Sequence, residues 1–173
     1  MDKNMEKAED KLVNNNRLFR AVFEIHRVTA TLQGIAMVLC VDTASGLYER
    51  SWTVKRSVDD LMFSVAQEMA SDYERERIMK ELVDIKKCIV CITNTLQCEK
   101  NAFDNYALTA EMNTANTMIK QGLVAANHEA KNLLSAFSVL ENEVKKYLDD
   151  CCNDCSFGSG DLYGSIVTRT RGQ

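Results

Sequence analysis

The sequence has no proline, and only seven of its 173 residues are glycine. Four of those glycines (Gly158, Gly160, Gly164, Gly172) fall in the last sixteen positions. Soluble chains average about 5% proline and about 7% glycine, so the residues that break helices are excluded from the body and confined to the tail. That excludes a turn-rich β architecture and predicts long helices joined by short polar turns. Aromatics are scarce at 7%, which suits aliphatic helix–helix packing. No apolar run approaches the ~18–20 residues of a membrane span; the longest, Ile35 to Val41, is far shorter. The opening stretch Met1 to Asn16 has no apolar signal core, so a cytoplasmic protein is expected. Seven cysteines, an odd number, then read as free thiols or ligands and not as a disulfide framework.

An excess of basic charge is missing too: 21 Lys and Arg face 25 Asp and Glu, a net charge of −4. Catalytic signatures are equally absent. No Gly-rich phosphate loop, GxSxG or HExxH occurs. His26 and His128 lack the glutamate three residues earlier that a di-iron carboxylate bundle requires. They read as surface or core-edge residues, and no catalytic residue or cofactor is expected. Asp59-Asp60 is read as the acidic start of a helix, where the dipole favours negative charge.

What the sequence does contain is apolar periodicity. Leu18, Val22, Ile25, Leu32, Ile35 and Leu39 recur at three- and four-residue steps, predicting a first helix from Leu18 to Val41. Asp42 to Gly46 should end it, with Gly46 left-handed. Val54, Val58, Leu61, Val65 and Met69 form a second stripe. Ser71-Asp72-Tyr73-Glu74 reads as a capping box opening the next helix. Ile78, Leu82, Ile85, Ile89, Ile92 and Leu96 then keep a strict heptad spacing, until Glu99-Lys100-Asn101 breaks it. Leu108, Met112, Ala115, Ile119 and Leu123 make a fourth stripe, with Gly122 loosening its end. Leu133, Phe137, Leu140, Val144 and Leu148 make a fifth, either separate from the fourth or continuous with it. Small residues Ala110, Ala115, Gly122 and Ala126 permit close approach on one side. The expected fold is all-α: an antiparallel up-down bundle of four or five helices. It comprises a polar lead-in (1–16), the helical bundle (17–150) and a Cys-rich, Gly/Ser-rich flexible tail (151–173).

Two residue sets suggest chemistry. Cys88-x-x-Cys91 and Cys152-x-x-Cys155 have the paired spacing of a four-thiolate zinc site, though the first pair lies within the heptad stretch, where small packed thiols are the simpler reading. The other set is basic. Arg17, Arg20 and Arg27 lie at helical spacings, and Arg50, Lys55 and Arg56 flank Trp52. Were these faces to converge, they would form a band neutralising phosphates, with Trp52 available for base stacking. On the third helix, Arg75, Arg77, Lys80, Lys86 and Lys87 alternate with Glu74, Glu76, Glu81 and Asp84 and read as a solvated, mutually paired face.

From Trp52-Thr53-Val54 onward the order of elements resembles a small four-helix-bundle family. The family includes the accessory variability determinants of diversity-generating retroelements and proteins encoded in intervening sequences of 23S ribosomal RNA genes. The aromatic-Thr-aliphatic start, the Leu- and charge-rich helix from Arg77-Ile78-Met79-Lys80-Glu81-Leu82 to Leu96, the turn at Tyr106 and the helix through Ile119 follow that order over about 100 residues. This chain lacks the Phe-Pro found before the second helix of many members, and it is acidic where they are usually basic. The resemblance implies a non-catalytic, ring-like homo-oligomer that binds RNA or DNA and assists a reverse transcriptase. Arg50, Lys55 and Arg56 are its candidate phosphate contacts, chosen by charge and position. The alternative is a protein–protein adaptor using the heptad helix for self- or hetero-association. A zinc-binding helical protein ranks third.

Overall fold

A computed structural model describes residues 3–39, 42–66, 72–109 and 113–155, with side chains over 16–39, 46–66, 74–109 and 113–150. Those residues form four helices: α1 (Lys3–Leu39), α2 (Asp42–Ala66), α3 (Asp72–Ala107) and α4 (Thr114–Cys155). Each helix packs on its neighbours in sequence, and α1 closes the ring against α4. Paired side chains give the directions. Arg17 meets Glu143 while Arg27 meets Glu129, so α1 and α4 run antiparallel. Arg50 reaches Thr95 while Arg77 reaches Ser64, so α2 and α3 do as well. The result is the expected up-down bundle, with four helices rather than five.

The core follows the stripes. Leu18, Ile25, Leu32 and Leu39 of α1 are buried, joined by Ala21, Val28 and Ala36. All six heptad residues of α3 are buried, as are Leu133, Phe137, Leu140, Val144 and Leu148 of α4. The seam of α3 therefore faces the bundle's own interior. The buried Thr29 hydroxyl donates to Ile25 O at 2.8 Å, and the buried Asn127 side chain donates to Leu96 O and Leu123 O at 3.0 and 2.9 Å. Each satisfies a polar group that would otherwise be costly inside.

Several boundaries differ from expectation. The first helix begins at Lys3, inside the polar lead-in, and its description ends at Leu39. Gly46 lies within α2, which opens at Asp42; an Asp-Thr start suits a helix N-terminus, so the turn comes earlier. Asp59 and Asp60 consequently sit in the second half of α2 and not at its start. Glu99-Lys100-Asn101 ends the apolar seam but not the helix, because i,i+4 pairs continue it: Gln97 donates to Asn101 at 2.9 Å and Lys100 to Asp104 at 2.6 Å. Leu108 is a turn residue, 84% exposed, and Ala115 is exposed at the start of α4. Asn113 caps α4, its side-chain oxygen accepting from Asn116 N at 2.8 Å.

The fourth and fifth stripes are one 42-residue helix. Gly122 does not loosen it; the glycine lets α4 approach α1, where a Cβ would stand 2.6 Å from Leu39 Cδ2. Buried Ala126 lies one turn on. Met69, Ser71, Ala110 and Met112 lie outside the described residues, as does the tail beyond 155.

Candidate functional site

In a square bundle each helix turns one stripe inward and leaves the opposite side to solvent. Outer positions are normally polar, and between α1 and α2 large apolar side chains stand among them. On α1, Phe19, Phe23, Ala30, Gly34 and Met37 follow at steps of 4, 7, 4 and 3, so they share one side of the helix. On α2, Tyr48, Trp52, Asp59 and Phe63 do the same. His26 Nε2 lies 2.7 Å from Asp59 Oδ1, which joins the two rows along one groove and fixes their relative height. Counting along antiparallel helices from that contact, Phe63 comes level with Phe23, Trp52 with Gly34, and Tyr48 with Met37. Phe19, Phe23 and Met37 are 71%, 71% and 73% exposed, Phe63 is 66% and Trp52 49%. Every exposed Phe and Trp among the described residues is on this strip, which runs about 27 Å at 1.5 Å per residue. On α3, α4 and the turn between them the large exposed apolar residues are Val83, Val90, Tyr106, Leu108, Met118, Val124 and Val139, among the described residues.

The seven basic and aromatic candidates separate into three places. Trp52, Lys55 and Arg56 share the outer part of α2, with the Arg56 guanidinium 5.4 Å from the Trp52 ring centroid, a cation–π contact. Arg56 also lies 4.0 Å from Asp60. Arg50 turns the other way and donates to Thr95 Oγ1 at 3.1 Å on α3. Arg17, Arg20 and Arg27 lie toward α4. Arg17 sits 3.9 Å from Glu143; Arg27 sits 2.6 Å from Glu24 and 3.6 Å from Glu129. The hydrogen bond from Arg27 is the main reason the Glu24 carboxyl is held below its usual range. Acidic side chains thus interleave with the basic ones.

On α3 the expected pairing within the helix is seen for two bases, while two others reach α4. Arg77 lies 3.6 Å from Glu81 and Lys87 3.1 Å from Asp84, while Arg75 and Lys86 cross to Asp149 and Glu141 of α4. His26 is half-exposed and His128 exposed.

The cysteines are laid out by the same helical spacing. Cys88 is half-buried beside the seam, whereas Cys91 and Cys98 share the outer face. Burial pushes the Cys88 thiol above its usual range and neighbouring Cys91 adds to this, against a smaller pull from Arg50; thiolate is disfavoured where water is excluded. Among the described residues no group of three or more His, Cys, Asp or Glu is placed to hold a metal. The side chains of Cys152 and Cys155 lie outside them. Nor is any described helix long and apolar enough to cross a membrane.

Sequence reasoning singled out Trp52 but not Phe19, Phe23, Met37, Tyr48 or Phe63. The signal was present: Phe19 and Phe23 sit four apart, off the stripe that Leu18, Ile25 and Leu32 define. Three further polar atoms, Gln33 Nε2, Ser51 Oγ and Glu129 Oε2, are buried without a hydrogen bond, and nothing in the sequence marks them. No protein-family model, curated protein or solved structure matches this chain.

Proposed function

We propose that this chain is a non-catalytic binding protein whose α1–α2 face docks an apolar protein surface. The observation that carries the reading is the gathering of Phe19, Phe23, Trp52 and Phe63 on one solvent-facing strip. Exposed apolar residues scattered singly need no explanation, but four large aromatic side chains sharing one face do. Covering one such phenylalanine is worth about 1.5–3 kcal/mol, and aromatic anchors of this kind dominate protein interfaces. The adaptor reading thereby moves from the heptad seam, which lies in the core, to this outer face.

A retroelement-type accessory role with RNA or DNA would instead use Trp52, Lys55 and Arg56, and one experiment separates the two. A photo-crosslinking phenylalanine analogue is placed at position 63, with a control at Val83 on α3, in cells expressing the chain. A nuclease-resistant protein adduct at 63 and none at 83 supports docking of protein. An adduct that nuclease removes, or no adduct at 63, refutes it.

A further inference from the structure

We infer that the occupant of the α1–α2 face is a second copy of this chain, seated about a two-fold axis parallel to the helices. The inference rests on the docking reading above and names its partner. The charge and shape of the face select a copy of itself, and its size suffices for one.

The first is charge. Arg20 and Arg27 edge the strip on the α1 side, and Asp60, 4.0 Å from Arg56, edges it on the α2 side. A two-fold parallel to the helices lays α1 of one copy over α2 of the other, so Asp60 of one copy faces the arginines of the other. A two-fold across the helices would lay α1 on α1 and set arginine against arginine. Measured from the His26–Asp59 contact, Asp60 stands level with residue 25, between Arg20 and Arg27.

The second is shape. Gly34 lies inside α1 with nothing within 4 Å of the place where its Cβ would be. No intramolecular contact requires a glycine there, and an exposed helix interior is where glycine is least favoured among ordinary residues. With Ala30 one turn before it, Gly34 makes a shallow notch at the height of Trp52. In the two-fold arrangement Trp52 of one copy comes over the Ala30–Gly34 notch of the other. Phe23 and Phe63 of one copy come opposite Phe63 and Phe23 of the other.

The third is size. A strip about 27 Å long, across two helices packed about 8–10 Å apart, offers roughly 500 Å² per copy. That is roughly 1,000 Å² in total, where specific interfaces begin.

The test is sedimentation of the full-length chain over a concentration series, together with the crosslink at position 63. A reversible monomer–dimer equilibrium is expected, and the adduct should have twice the chain's mass. Phe63→Asp should raise the dissociation constant about thirtyfold or more, as loss of a central anchor does, while the helical circular dichroism stays unchanged. Gly34→Leu should raise the thermal midpoint of the monomer by improving the helix, yet weaken the dimer by filling the notch; a merely structural role would not move the two in opposite directions. Asp60→Arg should weaken association, and Arg20→Glu added to the same chain should restore it. A chain monomeric at every concentration, or a dimer indifferent to these changes, overturns the inference. A position-63 adduct to a different protein overturns the self-pairing but keeps the docking reading. A nuclease-sensitive adduct overturns both.

Discussion

Gly122 and Gly46 both lie inside helices, and alanine at the two positions should have opposite effects. A glycine-to-alanine change in a helix interior gains about 1 kcal/mol from backbone propensity alone. At Gly46 nothing lies within 4 Å of the new methyl group, so that gain should appear almost unopposed. At Gly122 the methyl group would stand 2.6 Å from Leu39 Cδ2 and 3.3 Å from Leu39 Cγ. Relief requires Leu39 to leave its rotamer or α1 to back away from α4, and Leu39 is buried. Forcing extra volume into a packed core costs about 1–3 kcal/mol. The steric term exceeds the propensity term, and Gly122→Ala should lose about 1 kcal/mol net. Urea unfolding followed by circular dichroism measures both variants. In a chain of this size about 1 kcal/mol shifts the thermal midpoint by about 2–4 °C, so the two alanines should separate by twice that. Shortening Leu39 to alanine should itself cost about 2–4 kcal/mol. Combined with Gly122→Ala, it should recover about 1 kcal/mol relative to additivity. Stabilisation by Gly122→Ala equal to that by Gly46→Ala would refute the close approach of α1 and α4.

Three further outcomes are expected. Ile89→Asp places a carboxylate where the side chain is wholly buried, and should abolish cooperative unfolding through its desolvation cost; a stable, folded variant would mean that the α3 seam is exposed. Glu141 accepts from Lys145 at 2.6 Å and from Lys86 at 2.9 Å, and these bonds hold its carboxyl below the usual range. A carboxyl lowered in the fold contributes stability that is full above its unfolded value and is lost as pH falls through the folded value. Glu141→Gln should therefore flatten the acid side of a stability–pH curve and cost about 1 kcal/mol at neutral pH, a small figure because both lysines are half-exposed. Unchanged acid dependence would remove Glu141 from that role. In timed alkylation mapped by mass spectrometry, Cys91 and Cys98 should be modified before Cys88, whose thiol is half-buried and raised in pKa; equal rates would contradict the placement.

The bundle was legible because its stripes are carried by residues that have one plausible use. Ile78 to Leu96 repeat without fault, and all six are buried. Boundaries were harder to read, because polar residues mark the end of a buried stripe and not the end of a helix. Glu99-Lys100-Asn101 stops the seam, while Lys100 and Asp104 pair and carry α3 another turn. Gly46 and Gly122 were misread for a related reason: a glycine's role depends on what lies opposite it, and Leu39 is 83 positions from Gly122 in sequence. The face between α1 and α2 was partly hidden because Phe19 and Phe23 resemble ordinary core residues until Leu18 and Ile25 are seen to take the interior. Charge promised a basic band, but the partners of Arg17 and Arg50, and Glu129 beside Arg27, lie on other helices, where no local pattern could reveal them.

Asn127 has a consequence of a different kind. The apolar row of α3 recurs every seven residues, so it would present nearly the same surface to an α4 displaced along its axis by one repeat. Bulk on α4 separates the two alignments, because one repeat exchanges Ala130 for Phe137 and Ala126 for Leu133. The Asn127 amide adds to this, because it finds Leu96 O in only one of them. In the displaced alignment it would keep its bond to Leu123 O and lose the one to Leu96 O, at a cost of about 0.5–1.5 kcal/mol. That amide acts as an index mark on a periodic scale, helping to set the height at which the two rods lock.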